Sequence, residues 1–405
     1  MQILLLLLLF CLSSLVPLPA YAAAFSASAA SGNPLRLPAA AAAEWAGSDI
    51  LLSQEANEVV GLLVIPRRAP QLFQELYPPL NTSIGQRIHL RSSHWHSEAS
   101  VGYYQQEVQI PLPMWHLHLL LQMQQSPVQH TDFPEIYRWE NIMRQGDLQK
   151  LQTRTELYAL DAQHTLLIYR IEVQADPEFW LMRLFPKALG AISHYLPWLT
   201  ASSYLQYLQA RYYSIAEKDR IPPPARNDIS DPSGWIRLHQ EASQTQLHLS
   251  WDYPFPLGFT QRRLMLIQRY HEFIPTLQKV SLQAFPGYTL SQWILTLHLG
   301  PLSLHRSYWM RLHRSGSILW FDGMDELKHP VHGNWQLAAS GKTTHSELSI
   351  STQPDDSSWV QGVLSYTPFP VNSSTLIASL MLMQRSSAWL LMQKGNAAQN
   401  TTIRP

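Results

Sequence analysis

Cysteine is almost absent from the chain. Among 405 residues there is one, Cys11, and it sits in an N-terminal apolar run directly after Phe10, where a lipid-attachment signal needs a small residue. Neither a lipid anchor nor a disulfide is expected, and a mature chain without Cys11 has no cysteine nucleophile, so stability has to come from packing. Charge is also scarce. Only 14% of residues are charged, and Lys+Arg equals Asp+Glu at 29 each, so there is no global field to draw in nucleic acid or an anionic surface. Familiar catalytic signatures are missing too. There is no G-x-S-x-G; Ser340-Gly341-Lys342-Thr343-Thr344 lacks the first glycine of a phosphate-binding loop because Gln336 stands there; and His271-Glu272-Phe273-Ile274-Pro275 lacks the second histidine of a zinc-protease helix. The Ser340 to Thr344 stretch reads as a hairpin turn.

In place of charge the chain carries 14 Trp, 17 Tyr, 12 Phe and 17 His, a composition suited to stacking on neutral or sugar-like ligands. Its start is organised differently from the rest. Ile3 to Leu18 is apolar but short for a membrane span and is followed by Ala20-Tyr21-Ala22, a small-x-small cleavage pattern. This predicts a signal peptide over 1–22, cleaved after Ala22, and a periplasmic protein with no integral membrane span once the leader is gone. Residues 23–55 are rich in Ala, Ser and Pro and read as a tether.

Beyond the tether the patterning predicts an α+β protein, mostly antiparallel β-sheet of meanders and hairpins, with a helical insertion around 180–218. Glu58 to Ile65 is a bounded β-branched run stopped by Pro66, as in a buried strand. Trp180 to Tyr213 has apolar residues three or four apart and prolines at 186 and 197, which predicts two or three short helices. Pro222-Pro223-Pro224 marks a boundary between an N-terminal α+β domain at 56–220 and a C-terminal antiparallel β domain at 229–393, leaving a flexible tail at 394–405. In the second domain, Gly234 to Gln240 and Gln246 to Asp252 alternate as a hairpin with Ile236, Leu238, Leu247, Leu249 and Trp251 on one side. Phe259 to Gln268 reads as a further strand. Asp231 to Leu238 and His329 to Leu337 resemble each other and suggest an internal repeat.

Three sets of residues could carry chemistry. His94/His96 and His116/His118 would each present two imidazoles on one strand face, but no third ligand is in sight, so no metal and no cofactor is expected. Asp322, Asp325 and Glu326 read as a solvated turn, since glycosidase carboxylates must oppose each other. The ligand-binding candidates are Trp235, Arg237 and His239 on one strand and Trp309, Arg311 and His313 on another. Alternation puts each trio on a single face of its strand, where indole, guanidinium and imidazole could meet a glycan ring and a carboxylate.

One stretch carries a family resemblance. Arg314-Ser315-Gly316-Ser317-Ile318-Leu319-Trp320-Phe321-Asp322, then His329-Pro330-Val331-His332-Gly333, resembles the C-terminal signature of the CsiV-type periplasmic peptidoglycan-binding family. The insert Gly323 to Lys328 and the replacement of an arginine pair by Leu312-His313-Arg314 depart from that pattern, while Arg262-Arg263 with Tyr270-His271-Glu272 is a rival match. Glu58 to Pro66 with Arg67-Arg68 resembles the family's opening strand. The resemblance implies a non-enzymatic envelope protein that binds peptidoglycan or assists its assembly through a cell-wall synthesis partner. Two alternatives remain open on sequence: an outer-membrane β-barrel, which strand alternation permits, and a carbohydrate-active enzyme.

Overall fold

A computed structural model describes residues 42–43, 46–77, 88–92, 102–112, 115–178, 186–213, 233–241, 244–274, 277–299, 302–325, 330–352 and 373–402. The signal-peptide segment, the proline spacer at 222–224, His94 and His96 lie outside them, as does Glu326. The fold is α+β and dominated by antiparallel sheet, as the alternation requires. Its first half contains β1 (Ile50–Glu55), β2 (Glu58–Ile65), helix α1 (Ala69–Leu76), β3 (Ile88–Ser92), β4 (Gly102–Leu112), β5 (Trp115–Gln125), β6 (Gln129–Asp132), β7 (Glu135–Gly146), β8 (Leu148–Ala159), β9 (Thr165–Ala175) and helix α2 (Pro186–Tyr213). The second contains β10 (Trp235–Glu241), β11 (Gln244–Tyr253), helix α3 (Leu257–Leu264), a 3-10 turn (Ile267–Glu272), β12 (Leu277–Phe285), β13 (Tyr288–Leu299), β14 (Leu302–Ser315), β15 (Ile318–Asp325), β16 (Pro330–Ser340), β17 (Thr343–Thr352) and helix α4 (Ser373–Thr402).

The two halves follow one plan. From the middle outward the first half pairs β1, β2, β9, β8, β7, β5, β4 and β3, with β6 on the opening residues of β7. The second pairs β10, β11, β17, β16, β15, β14, β13 and β12 in the same order. A short helix follows the second strand of each half, and a long helix follows the last. Antiparallel pairing of Ile50–Ser53 with Leu238–Trp235 joins them into one sheet. The chain therefore has an internal repeat, but in a different register from that suggested by Asp231 to Leu238 and His329 to Leu337: Trp235 lies on β10 and Trp335 on β16, which are not equivalent strands.

Burial explains the central sequence. β2 reads EVVGLLVI without alternation because both its faces are covered. Leu63 and Ile65 join Trp198, Leu199, Leu205 and Leu208 of α2, while Leu62 and Val64 join Leu51, Leu166, Trp235 and the buried Ala42, Ala43 and Ala46. Gly61 lets α2 pack closely on β2, since a Cβ there would lie 2.2 Å from Leu205 Cδ1 and that side chain would have to shift.

Several expectations are corrected. The stretch read as tether extends too far: Ile50, Leu51 and Leu52 are fully buried in β1, because three consecutive apolar residues can occupy both faces of an inner strand. α2 is one helix of 28 residues that starts at Pro186 and passes through Pro197. Proline fits the first turn, and the interior one is tolerated because Tyr195, Trp198 and Leu199 are locked in the core. Phe259 to Gln268 forms α3 and the 3-10 turn rather than a strand, with Thr260 and Leu264 one turn apart and buried. Asp322 and Asp325 belong to β15, whose pairing continues past Phe321, and not to a turn. The supposed tail at 394–405 begins inside α4, which continues to Thr402, and the C-terminal β region thus ends in a helix.

Candidate functional site

The two predicted trios have opposite fates. On β10, Trp235 is 2% and Arg237 8% exposed. That strand is flanked by β1 and β11, and its outer face is covered by the Ala42, Ala43 and Ala46 segment, so the indole packs against Leu51 and Leu62. Arg237 Nη1 donates to Asp49 Oδ2 at 3.0 Å, and His239 Nδ1 lies 2.6 Å from Asp49 Oδ1. These residues tie the segment before β1 to β10 and are corrected from ligand contacts to structural ones. On β14, by contrast, Trp309, Arg311 and His313 are all exposed, because α4 and α3 cover only the opposite face, where Leu312 is buried.

Arg311 and His313 line a groove of about 300 Å³ with Tyr288, Trp320, Asp322 and His332. Register builds it. Cross-strand partners share a face, and His313 opposes Trp320, Arg311 opposes Asp322, and Asp322 opposes His332. The β12–β13 hairpin supplies the wall. Its turn glycine, Gly287, has φ +86, Phe285 and Tyr288 stack at 5.1 Å, and His313 Nδ1 donates to the Gly287 carbonyl at 2.9 Å. A carbonyl acceptor requires the proton on Nδ1, which leaves Nε2 as the acceptor of the neutral ring. His313 lies 5.5 Å from the Trp320 ring, and the Arg311 guanidinium 5.9 Å from the centre of Tyr288. Tyr288 and Trp320 are each 38% exposed, so part of each side chain meets solvent. Behind them Gly333 has no room for a side chain, a Cβ there lying 2.0 Å from Ser349 O and 2.7 Å from Phe321 Cζ. The backbones of β16 and β17 come together only because that position is glycine.

Trp309 stands on the same face one row away, opposite Met324, and extends the apolar surface without lining the groove. The sequence reading missed Tyr288, Trp320, Asp322 and His332 as contacts. Trp320, Asp322 and His332 were in the stretch Arg314 to Gly333, and the two-residue period of β15 relative to β14 was the available signal. Among the described residues that line the groove, Asp322 is the carboxylate. Among the described residues no three His, Cys, Asp or Glu side chains could hold a metal ion, and His116 and His118 lie on β5.

On the corresponding outer face of β7, β8 and β9 the charged side chains pair with one another. Arg138 pairs with Glu156 at 2.9 Å, Arg154 with Glu140 at 2.7 Å, and Arg170 with Glu55 at 2.7 Å.

No protein-family model matches the chain, and no curated protein matches its sequence. Solved structures that resemble it include the di-domain ARO/CYC StfQ from the steffimycin biosynthetic pathway, at 10% identity over 83% of this chain and 99% of that one, with a TM-score of 0.30. A STAR-related lipid transfer protein fragment from Xanthomonas axonopodis is 10% identical over 40% of this chain and 96% of its own, TM-score 0.29. A START superfamily protein from Mycobacterium smegmatis is 13% identical over 39% and 98%, TM-score 0.24.

Proposed function

We propose that this is an exported, non-enzymatic binding protein of the cell envelope that holds a glycan of peptidoglycan type in the groove between Tyr288 and Trp320. The observation that carries the reading is the contrast between the two sheet faces. In the second half two half-exposed aromatic rings flank Arg311 and two imidazoles, whereas in the first half arginines and carboxylates satisfy one another. Sugar rings present weakly apolar faces and hydroxyls, which suit aromatic stacking beside guanidinium and imidazole donors. The apolar run Ile3 to Leu18 with Ala20-Tyr21-Ala22, and the resemblance of Arg314 to Gly333 to the CsiV-type signature, support a periplasmic location and the same ligand class. Peptidoglycan itself, or a cell-wall synthesis protein bound to it, is the expected partner.

Co-sedimentation with purified murein sacculi tests this. The wild type should sediment, and Tyr288→Ala combined with Trp320→Ala should remain in the supernatant with an unchanged circular dichroism spectrum, since both side chains are partly exposed. Equal sedimentation of the wild type and the double variant would overturn the assignment. Recovery of the protein from a periplasmic extract with its N-terminus at Ala23 tests the export reading separately.

A further inference from the structure

We infer that the groove takes a ligand bearing an amine and a carboxylate together, a zwitterionic amino-acid-type group adjoining the stacked ring. This deepens the glycan-binding reading and rests on it. Arg311 and Asp322 are direct cross-strand partners on one face of the β14–β15 pair, a geometry that puts their Cβ atoms about 5 Å apart. Oppositely charged side chains in the same relation on the first half of the sheet do pair: Arg138 opposes Glu156 and bonds it at 2.9 Å, and Arg154 opposes Glu140 and bonds it at 2.7 Å. Among the described residues neither Arg311 nor Asp322 forms an ion pair. The guanidinium instead lies over the ring of Tyr288, which is itself stacked on Phe285. A neighbouring cation and anion thus line, without pairing, a groove of about 300 Å³, at the small end of the usual ligand-site range.

A neutral sugar would use one of these charges at most. A group with both signs satisfies the two at once, its carboxylate meeting Arg311 in a charge-assisted pair and its ammonium meeting Asp322. The flanking imidazoles of His313 and His332 and the rings of Tyr288 and Trp320 remain for hydroxyls and apolar faces. A free amino acid, a short peptide with both termini free, or an amino acid joined to a glycan through its side chain has this chemistry.

Titration of the full chain with a matched probe set reads this out through Trp320 indole NMR shifts. The probes are alanylalanine, its N-acetyl derivative with the carboxylate alone, its amide with the amine alone, and a neutral N-acetylglucosamine oligomer. The zwitterion should bind about 1.5- to fivefold more tightly than either singly charged form, the scale of one exposed ion pair. Arg311→Gln should abolish the advantage over the amide, and Asp322→Asn the advantage over the N-acetyl form. Both residues are exposed, so both variants should fold, and the exchange Arg311→Asp with Asp322→Arg should recover binding that either single reversal loses. If the three alanylalanine forms bind alike, or none binds, while sacculi and the neutral oligomer still do, the zwitterion inference is wrong and the glycan reading stands. If nothing binds, both are wrong.

Discussion

Replacing Arg237 by methionine is expected to destabilise the protein by about 3–5 kcal/mol, the usual cost of leaving one member of a buried ion pair alone. Arg237 and Asp49 have side chains only 9% and 5% exposed, and Nη1 meets Oδ2 at 3.0 Å. Methionine keeps most of the apolar volume, and the Asp49 carboxylate would lose its guanidinium while keeping His239 Nδ1 at 2.6 Å. Removing both charges, as Asp49→Ala with Arg237→Met, should recover much of the loss, because no uncompensated ion then stays buried. Urea unfolding followed by tryptophan fluorescence measures this, with the slope checked for constancy so that the midpoint reports stability. A loss under about 1 kcal/mol for the single variant, or simple additivity in the double, would refute the view that this cluster locks the junction of the two halves. Sacculus binding by the folded fraction should not change, since the residues lie on a covered strand.

Three further outcomes follow from local geometry. His345 is raised to about 9, chiefly by its hydrogen bond to Asp252 and then by Glu347, so its folded value exceeds the unfolded one near 6.5; its stabilisation is complete below about pH 6.5 and fades as pH rises through 9. Stability should therefore fall between pH 6.5 and 9 in the wild type and less steeply in His345→Gln, measured by thermal unfolding across that range. Gly333→Ala should cost about 1–3 kcal/mol by overpacking, because the new Cβ meets a backbone carbonyl at 2.0 Å, and it should weaken groove binding by displacing β16; urea midpoints and sacculus co-sedimentation check the two effects. Tyr253→Phe should lower stability by about 1 kcal/mol in the same urea assay, since the hydroxyl that bonds Ser386 Oγ at 2.8 Å joins β11 to α4.

Much of the local structure was legible in the chain. Alternation identified the β10–β11 hairpin, and Ile236, Leu238, Leu247 and Leu249 are all in the core as that period requires. Ser340-Gly341 reads as a turn and is one, with φ +60 at Gly341. Prolines misled where packing outweighs them: Pro197 stays inside a helix held by Trp198 and Leu199. Phe259 to Gln268 misled as well, because a short apolar mixture satisfies a strand or a helix period about equally until neighbours choose.

Composition and periodicity by themselves determined an antiparallel α+β chain without disulfides, together with its hairpins and the aromatic and imidazole residues available for binding. Tertiary structure decided the duplicated strand order and which face of each strand meets solvent. Trp235-x-Arg237-x-His239 and Trp309-x-Arg311-x-His313 are the same pattern read locally. The β10 trio sits beneath the alanine segment at the junction of the halves, whereas the β14 trio is exposed to solvent. A two-residue period sorts side chains onto opposite faces, but only the elements packed on the sheet determine which of those faces is covered.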